Sequence, residues 1–174
     1  YVDYRLAYKY RYPVPVEDTF AAYKYILKEK KKQDKVIIGG DSAGACLAID
    51  VIRKAKEQNM DIPDYLFMLY PVLDKRMNTE SMKKYTDTPI WNSVLNKKMW
   101  DLYLKGTKDY VSPGEMDDVS FMPKTYIETA EYDCLRDEAL EFAEKLKKEH
   151  IDVIITETKA TMHGYDMKNG KITK

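Results

Sequence analysis

The residues best suited to chemistry are Gly39-Gly40-Asp41-Ser42-Ala43-Gly44. They follow the apolar run Val36-Ile37-Ile38 and precede a stretch of helical periodicity. Gly40-x-Ser42-x-Gly44 has the spacing of a nucleophile elbow, in which a serine sits on a sharp strand-to-helix turn. Such a turn strains the serine backbone and lifts the hydroxyl above the sheet edge. Glycine is expected at 40 and 44 because side chains there would collide in the turn. The Ala43 N–H would stand at a helix N-terminus, where an oxyanion is stabilised. The competing use of such a connection is a phosphate-binding turn. That use needs GxGxxG or GxxxxGK[ST], and neither is present.

A serine nucleophile needs a base, and the base needs an orienting carboxylate. The chain has two histidines. His150 ends a helix just before the last strand, which places it at the amino edge of a parallel sheet. There it suits a helix C-terminus, beside favourable backbone carbonyls. His163 follows the last strand after a short loop, at the carboxyl edge that Ser42 shares. The acid is chosen by the same topology. Glu131, Asp133 and Asp137 all lie just beyond the strand Lys124 to Thr129; Asp137 falls inside the next helix, Glu131 is nearer the strand, and Asp133 is favoured over both. Ser42, Asp133, His163 is the nucleophile–acid–base order of the α/β-hydrolase fold.

These positions depend on an alternation of strands and helices. Tyr1 to Leu6 reads as the tail of a strand, and Tyr8 to Pro15 as a loop in which Pro13 and Pro15 block pairing. Helices are expected over Glu17–Lys32, Ser42–Gln58, Trp91–Leu104 and Leu135–Glu149, from apolar residues at helical spacing. Strands are expected at 36–38, 65–70, 124–129 and 153–155, and 75–89 reads as irregular. Such alternation predicts βαβ units, hence a mostly parallel sheet with helices on both faces. Functional groups then gather at the carboxyl ends of the strands.

The 174 residues suffice for one domain with a real core. Lys plus Arg and Asp plus Glu are each 29, and zero formal charge argues against a dedicated nucleic-acid binder. No apolar run is long enough for a membrane span. Two cysteines, Cys46 and Cys134, are too few for a disulfide framework, so the expected compartment is a reducing cytoplasm.

Several separated segments together resemble one family, the hormone-sensitive-lipase-like branch of the α/β-hydrolase esterases. Asp3-Tyr4-Arg5-Leu6-Ala7 is similar to its DYRLA segment, and Pro13 to Asp18 to its FPAAVED run. Gly40 to Gly44 is its GDSAG elbow letter for letter. Asp133-Cys134-Leu135-Arg136-Asp137 is similar to its D-P-L-x-D motif, with cysteine where proline is usual, and His163-Gly164-Tyr165 to its HGF. The first aspartate of that motif is the family's acid, so the resemblance selects Asp133. It implies a carboxylesterase acting on short-chain acyl esters, with no metal or organic cofactor and a small-molecule substrate. Members of the family often form homodimers. Trp91, Trp100 and the segment from Pro71 to Trp91, within 71–104, are expected to line an acyl pocket or simply to pack in the core. The alternatives are a non-catalytic ligand-binding homologue, or another acyl hydrolase such as a peptidase, lactonase or amidase.

The family's HGGG motif, which completes its oxyanion hole, is absent, as is the helix that follows its HGF. The chain is therefore expected to be a single catalytic domain over 1–174, truncated at both ends, with about a hundred residues preceding it at roughly 30 per βαβ unit. The strand ending in DYRLA should not neighbour the strand leading into the elbow, which leaves a gap in the sheet.

Overall fold

The computed structural model describes residues 1–167. Four strands form one parallel sheet in chain order: β1 (Ile37–Asp41), β2 (Tyr65–Leu69), β3 (Lys124–Ala130) and β4 (Val153–Thr158). Their register aligns Asp41, Leu69, Glu128 and Thr156 in one row across the sheet. Every chain segment that leaves a strand just past this row emerges on the same edge.

Side-chain alternation decides which face is covered. Leu66, Met68 and Ile127 are wholly buried on one face, under α2 (Ala43–Glu57) and α5 (Arg136–Lys148). Ile49 and Ile52 of α2 and Ala139, Phe142, Ala143 and Leu146 of α5 recur at the three- and four-residue spacing that makes one apolar stripe. The helix α1 (Val14–Glu29) packs Phe20 and Tyr23 on Val51 and Ala55 of α2. On the sheet's other face Ile37 and Ile154 are more than half exposed, and Phe67 stacks on Tyr126 at 5.0 Å. The fold is α/β with a parallel sheet, as read from the sequence. The two helices packed on its central strands, however, share one face. An apolar strand shows that both its faces can be buried, not that both are.

Several element bounds differ from the reading, each for a local reason. The first helix starts at Val14 instead of Glu17, because Pro15 lies in its first turn, where the missing N–H has no intrahelical acceptor anyway. β1 runs on through Gly39 and Gly40 to Asp41, since its ladder to β2 continues there. Tyr1 to Leu6 pairs with no strand among the described residues. The segment expected to be irregular contains α3 (Glu80–Lys84), whose first turn is capped by Thr79 accepting from the Met82 N–H. α4 (Ser93–Tyr103) is capped likewise by Asn92. No helix among the described residues is long and apolar enough to cross a membrane.

One polar group is sealed into this packing. Asp50 of α2 is 1% exposed and accepts from Arg53 Nη2 at 2.7 Å and from the Tyr110 hydroxyl at 2.9 Å. Burial pushes its carboxyl up to about 6 from 3.8, against the opposing pull of Arg53. A raised folded-state value favours the protonated form in the folded protein. The group's contribution to stability is therefore full below about pH 4 and lost as pH rises through about 6, by an amount on the order of 3 kcal/mol. Urea unfolding of the natural full-length protein between pH 4 and 7 should show this decline, and Asp50→Asn should flatten it. Identical slopes in the two proteins would remove Asp50 as its source.

Candidate active site

β1 delivers Ser42 into a backbone conformation of φ 54° and ψ −119°, rarely adopted by a residue with a side chain. Two strand-edge bonds hold it there. The Ser42 N–H donates to Leu69 O at 2.9 Å, and the Ser42 carbonyl accepts from the Val72 N–H at 3.1 Å. Gly40 is required, because a Cβ there would run into the Gly44 backbone and lie 2.6 Å from Ala45 N. The expectation that Gly44 is needed for the same reason does not hold. A Cβ on Gly44 would meet only Asp41 Oδ1, at an ordinary 3.7 Å. The crowding is one-sided: the turn folds residue 40 onto the backbone at 44, and a side chain at 44 would point away.

The loops after β3 and β4 bring two more side chains to Ser42. His163 Nε2 lies 3.0 Å from Ser42 Oγ, and His163 Nδ1 lies 2.7 Å from Asp133 Oδ2. The other Asp133 oxygen accepts from the Leu135 N–H at 3.0 Å. Asp133 is fully buried and His163 nearly so. A buried carboxylate beside Nδ1 favours the tautomer with the proton on Nδ1, which leaves Nε2 free to accept from the serine hydroxyl. The Ala43 N–H, first in α2, has no acceptor within its own helix and is available to an oxyanion beside Ser42.

The rival groups have other work. Glu131 accepts from the Ala160 N–H at 2.7 Å, which ties the β3 and β4 loops together. Asp137 accepts from the Ser81 N–H at 2.7 Å, while Ser81 Oγ donates to the Cys134 carbonyl at 2.7 Å; α3 is thereby pinned to the loop that carries Asp133. His150 is exposed with φ 59°, just past the end of α5 and before β4, at the opposite sheet edge.

A cleft of about 980 Å³ opens beside Ser42, with Gly40, Asp41, Phe67, Trp91 and Asp166 among its walls. Trp91 lies with its ring 5.9 Å from that of His163. Trp100 is buried, and with Val72, Met99 and Tyr103 it borders an adjoining apolar cavity of about 130 Å³, which shares Ala43 and Leu47 with the cleft. The two expected tryptophans thus part company: one faces the cleft, while the other packs in the core and walls the cavity. No cluster of three potential metal ligands occurs among the described residues.

Two residues near His163 escaped sequence reasoning. Tyr70 read as the last residue of a strand, and Asp166 as one acid among many. The only local signal was the position of Tyr70, one residue past a strand end at the carboxyl edge and directly before a proline.

A family model described as alpha/beta hydrolase fold matches residues 1–167. Esterase LipI of Mycobacterium tuberculosis is 27% identical over 175 residues, covering 94% of this chain and 54% of its own. Among solved structures, esterase LipW from Mycobacterium marinum superposes with a TM-score of 0.88 at 26% identity, over 95% of this chain and 54% of that one. An esterase from the bacterial hormone-sensitive lipase family superposes with a TM-score of 0.84 at 26% identity, over 94% and 56% respectively. The chain spans about half the length of the curated relatives it matches.

Proposed function

This chain belongs to the alpha/beta hydrolase fold family, and we propose that it supplies the nucleophile, base and acid of a carboxylic ester hydrolase of the hormone-sensitive-lipase-like kind. The observation that carries the reading is the unbroken relay Ser42 Oγ–His163 Nε2 (3.0 Å) and His163 Nδ1–Asp133 Oδ2 (2.7 Å), mounted on a strained elbow. Ser42 Oγ attacks the ester carbonyl as His163 Nε2 takes its proton. The carbonyl oxygen becomes an oxyanion facing the Ala43 N–H. His163 then gives that proton to the departing alkoxide, which leaves an acyl-serine. Water attacks this ester with His163 again as base, and the acid leaves as Ser42 recovers its proton. Asp133 keeps the imidazole in the productive tautomer and stabilises the imidazolium without itself taking the proton.

The small apolar cavity that Ala43 borders, about 130 Å³, supports short acyl chains, since it lies next to the residue that follows Ser42. Its lining of Leu47, Val72 and Met99 suits methylenes.

A fluorophosphonate probe tests the reading on the natural full-length protein. The adduct should appear by mass spectrometry on the peptide that contains Ser42. In a panel of p-nitrophenyl esters, kcat/KM should peak at acyl chains of a few carbons and fall for long ones, and matched anilides should be cleaved far more slowly. An adduct on any other residue removes Ser42 from the nucleophile's role. A preference for anilides turns the reading towards an amidase or peptidase.

A further inference from the structure

Asp133 holds His163 at one atom only. A single bond at Nδ1 leaves the ring free to tilt about that contact, and a tilt of the ring carries Nε2 away from Ser42. The loop bearing His163 is fastened on its upstream side, where the Tyr132 N–H donates to the Thr161 carbonyl at 2.8 Å. On its downstream side two tyrosines fasten it: the Tyr165 hydroxyl donates to the Glu128 carboxylate, and Tyr70 reaches one residue further. The Tyr70 hydroxyl donates to Asp166 Oδ1 at 2.7 Å, three residues past the base. The same tyrosine lays its ring 4.5 Å from the imidazole, inclined at 58°.

Tyr70 is 2% exposed and has φ 31°, a left-handed conformation in which a bulky side chain is strained. A residue that merely fills the core has no need of such a backbone. Strain of this kind persists where the surroundings hold it in place, and it clusters at functional sites. Here the ladder bond from the Tyr70 N–H to Glu128 O, 2.7 Å, fixes the backbone, and Pro71 follows directly. The positive φ turns the chain at the end of β2, and the side chain lies under the base.

We propose that Tyr70 and Asp166 are a positioning pair for the His163 base: the Tyr70 ring sets the tilt of the imidazole, and its hydroxyl, bonded to Asp166, holds the loop that carries it. Neither residue touches the reacting atoms; both act through His163. The inference rests on the hydrolase reading above.

The test uses the natural full-length protein with Tyr70→Phe, Asp166→Ala, Asp166→Asn and the Tyr70→Phe/Asp166→Ala double variant. The readouts are the rate of fluorophosphonate reaction at Ser42, kcat and KM per titrated active site, and the melting temperature. Tyr70→Phe and Asp166→Ala should each slow the reaction at Ser42 and kcat by about 10-fold, the scale of a sub-ångström misplacement, with KM within about twofold. Asp166→Asn, whose amide oxygen still accepts, should recover most of the loss. The double variant should be no worse than the poorer single one, because both remove the same bond. Unchanged rates per active site, with or without a fall in melting temperature, overturn the proposal, as do losses that multiply in the double variant. If the wild-type protein does not react at Ser42 at all, the hydrolase reading falls and the pair falls with it. If it reacts and the variants react equally fast, only the pair falls.

Discussion

Ser42→Ala is expected to lower kcat for ester hydrolysis by about 10⁴- to 10⁶-fold in the natural full-length protein and to leave the fold intact. The size follows from what the hydroxyl does. Among the described residues Ser42 Oγ, at 3.0 Å, is the hydrogen-bond partner of His163 Nε2, so the variant retains only what substrate binding and oxyanion donors contribute to attack by water. Stability should change little. The bonds that hold the elbow come from the Ser42 backbone, to Leu69 O and from the Val72 N–H, and alanine keeps both. Alanine must also adopt φ 54°, a strain that serine already bears. Steady-state hydrolysis of a short acyl ester by the purified variant, with circular dichroism to show folding, checks both halves. A loss of less than about tenfold in a folded variant places the nucleophile elsewhere.

Asp133→Asn is expected to give the second large effect, about 10⁴-fold in kcat, by a different mechanism. The change is isosteric and the site is fully buried, so the Leu135 N–H can still donate to the amide oxygen. That bond turns the new NH₂ group towards His163 Nδ1. Two donors cannot share a hydrogen bond, so the imidazole proton moves to Nε2. Nε2 then points a donor at Ser42 Oγ where it formerly accepted, and the serine proton has nowhere to go. The loss should appear in kcat with KM little changed. Substrate contacts are intact, while the base is held in the wrong tautomer. A matching loss for Glu131→Gln or Asp137→Asn, with Asp133→Asn still active, would reassign the acid. Those two carboxylates accept instead from the Ala160 and Ser81 N–H groups, so their variants should loosen loops without touching the tautomer.

The legible part of the site was the part written in local chain geometry. A glycine two residues before a serine, at the end of an apolar strand and the start of a helix, is required by the turn itself, and Gly40 shows why: its missing Cβ makes room for the Gly44 backbone. The separation of His163 from His150 needed only the parallel direction of the strands, which puts the residue after β4 and the residue before it at opposite edges. Asp133 was narrowed by the same rule and then selected by resemblance. The side of the sheet that α2 and α5 cover was not legible, because strand residues such as Ile37 and Phe67 have the composition of a buried strand whichever face is packed. The strain at Tyr70 and its bond to Asp166 were equally hidden, since the two residues are 96 positions apart and neither belongs to a motif.

Taken alone, the sequence determined the order of the four strands and the longer helices, the strained turn at Ser42 and the edge at which Asp133 and His163 emerge. All of these follow from steric and periodic constraints within a few residues of chain. The tertiary structure alone decided the distances of 3.0 Å and 2.7 Å that join Ser42, His163 and Asp133, and the placing of the Tyr70 ring against His163 and of its hydroxyl on Asp166. Those depend on how loops far apart in the chain pack against one another. Such packing is a balance of many long-range contacts, and no short stretch of residues encodes it.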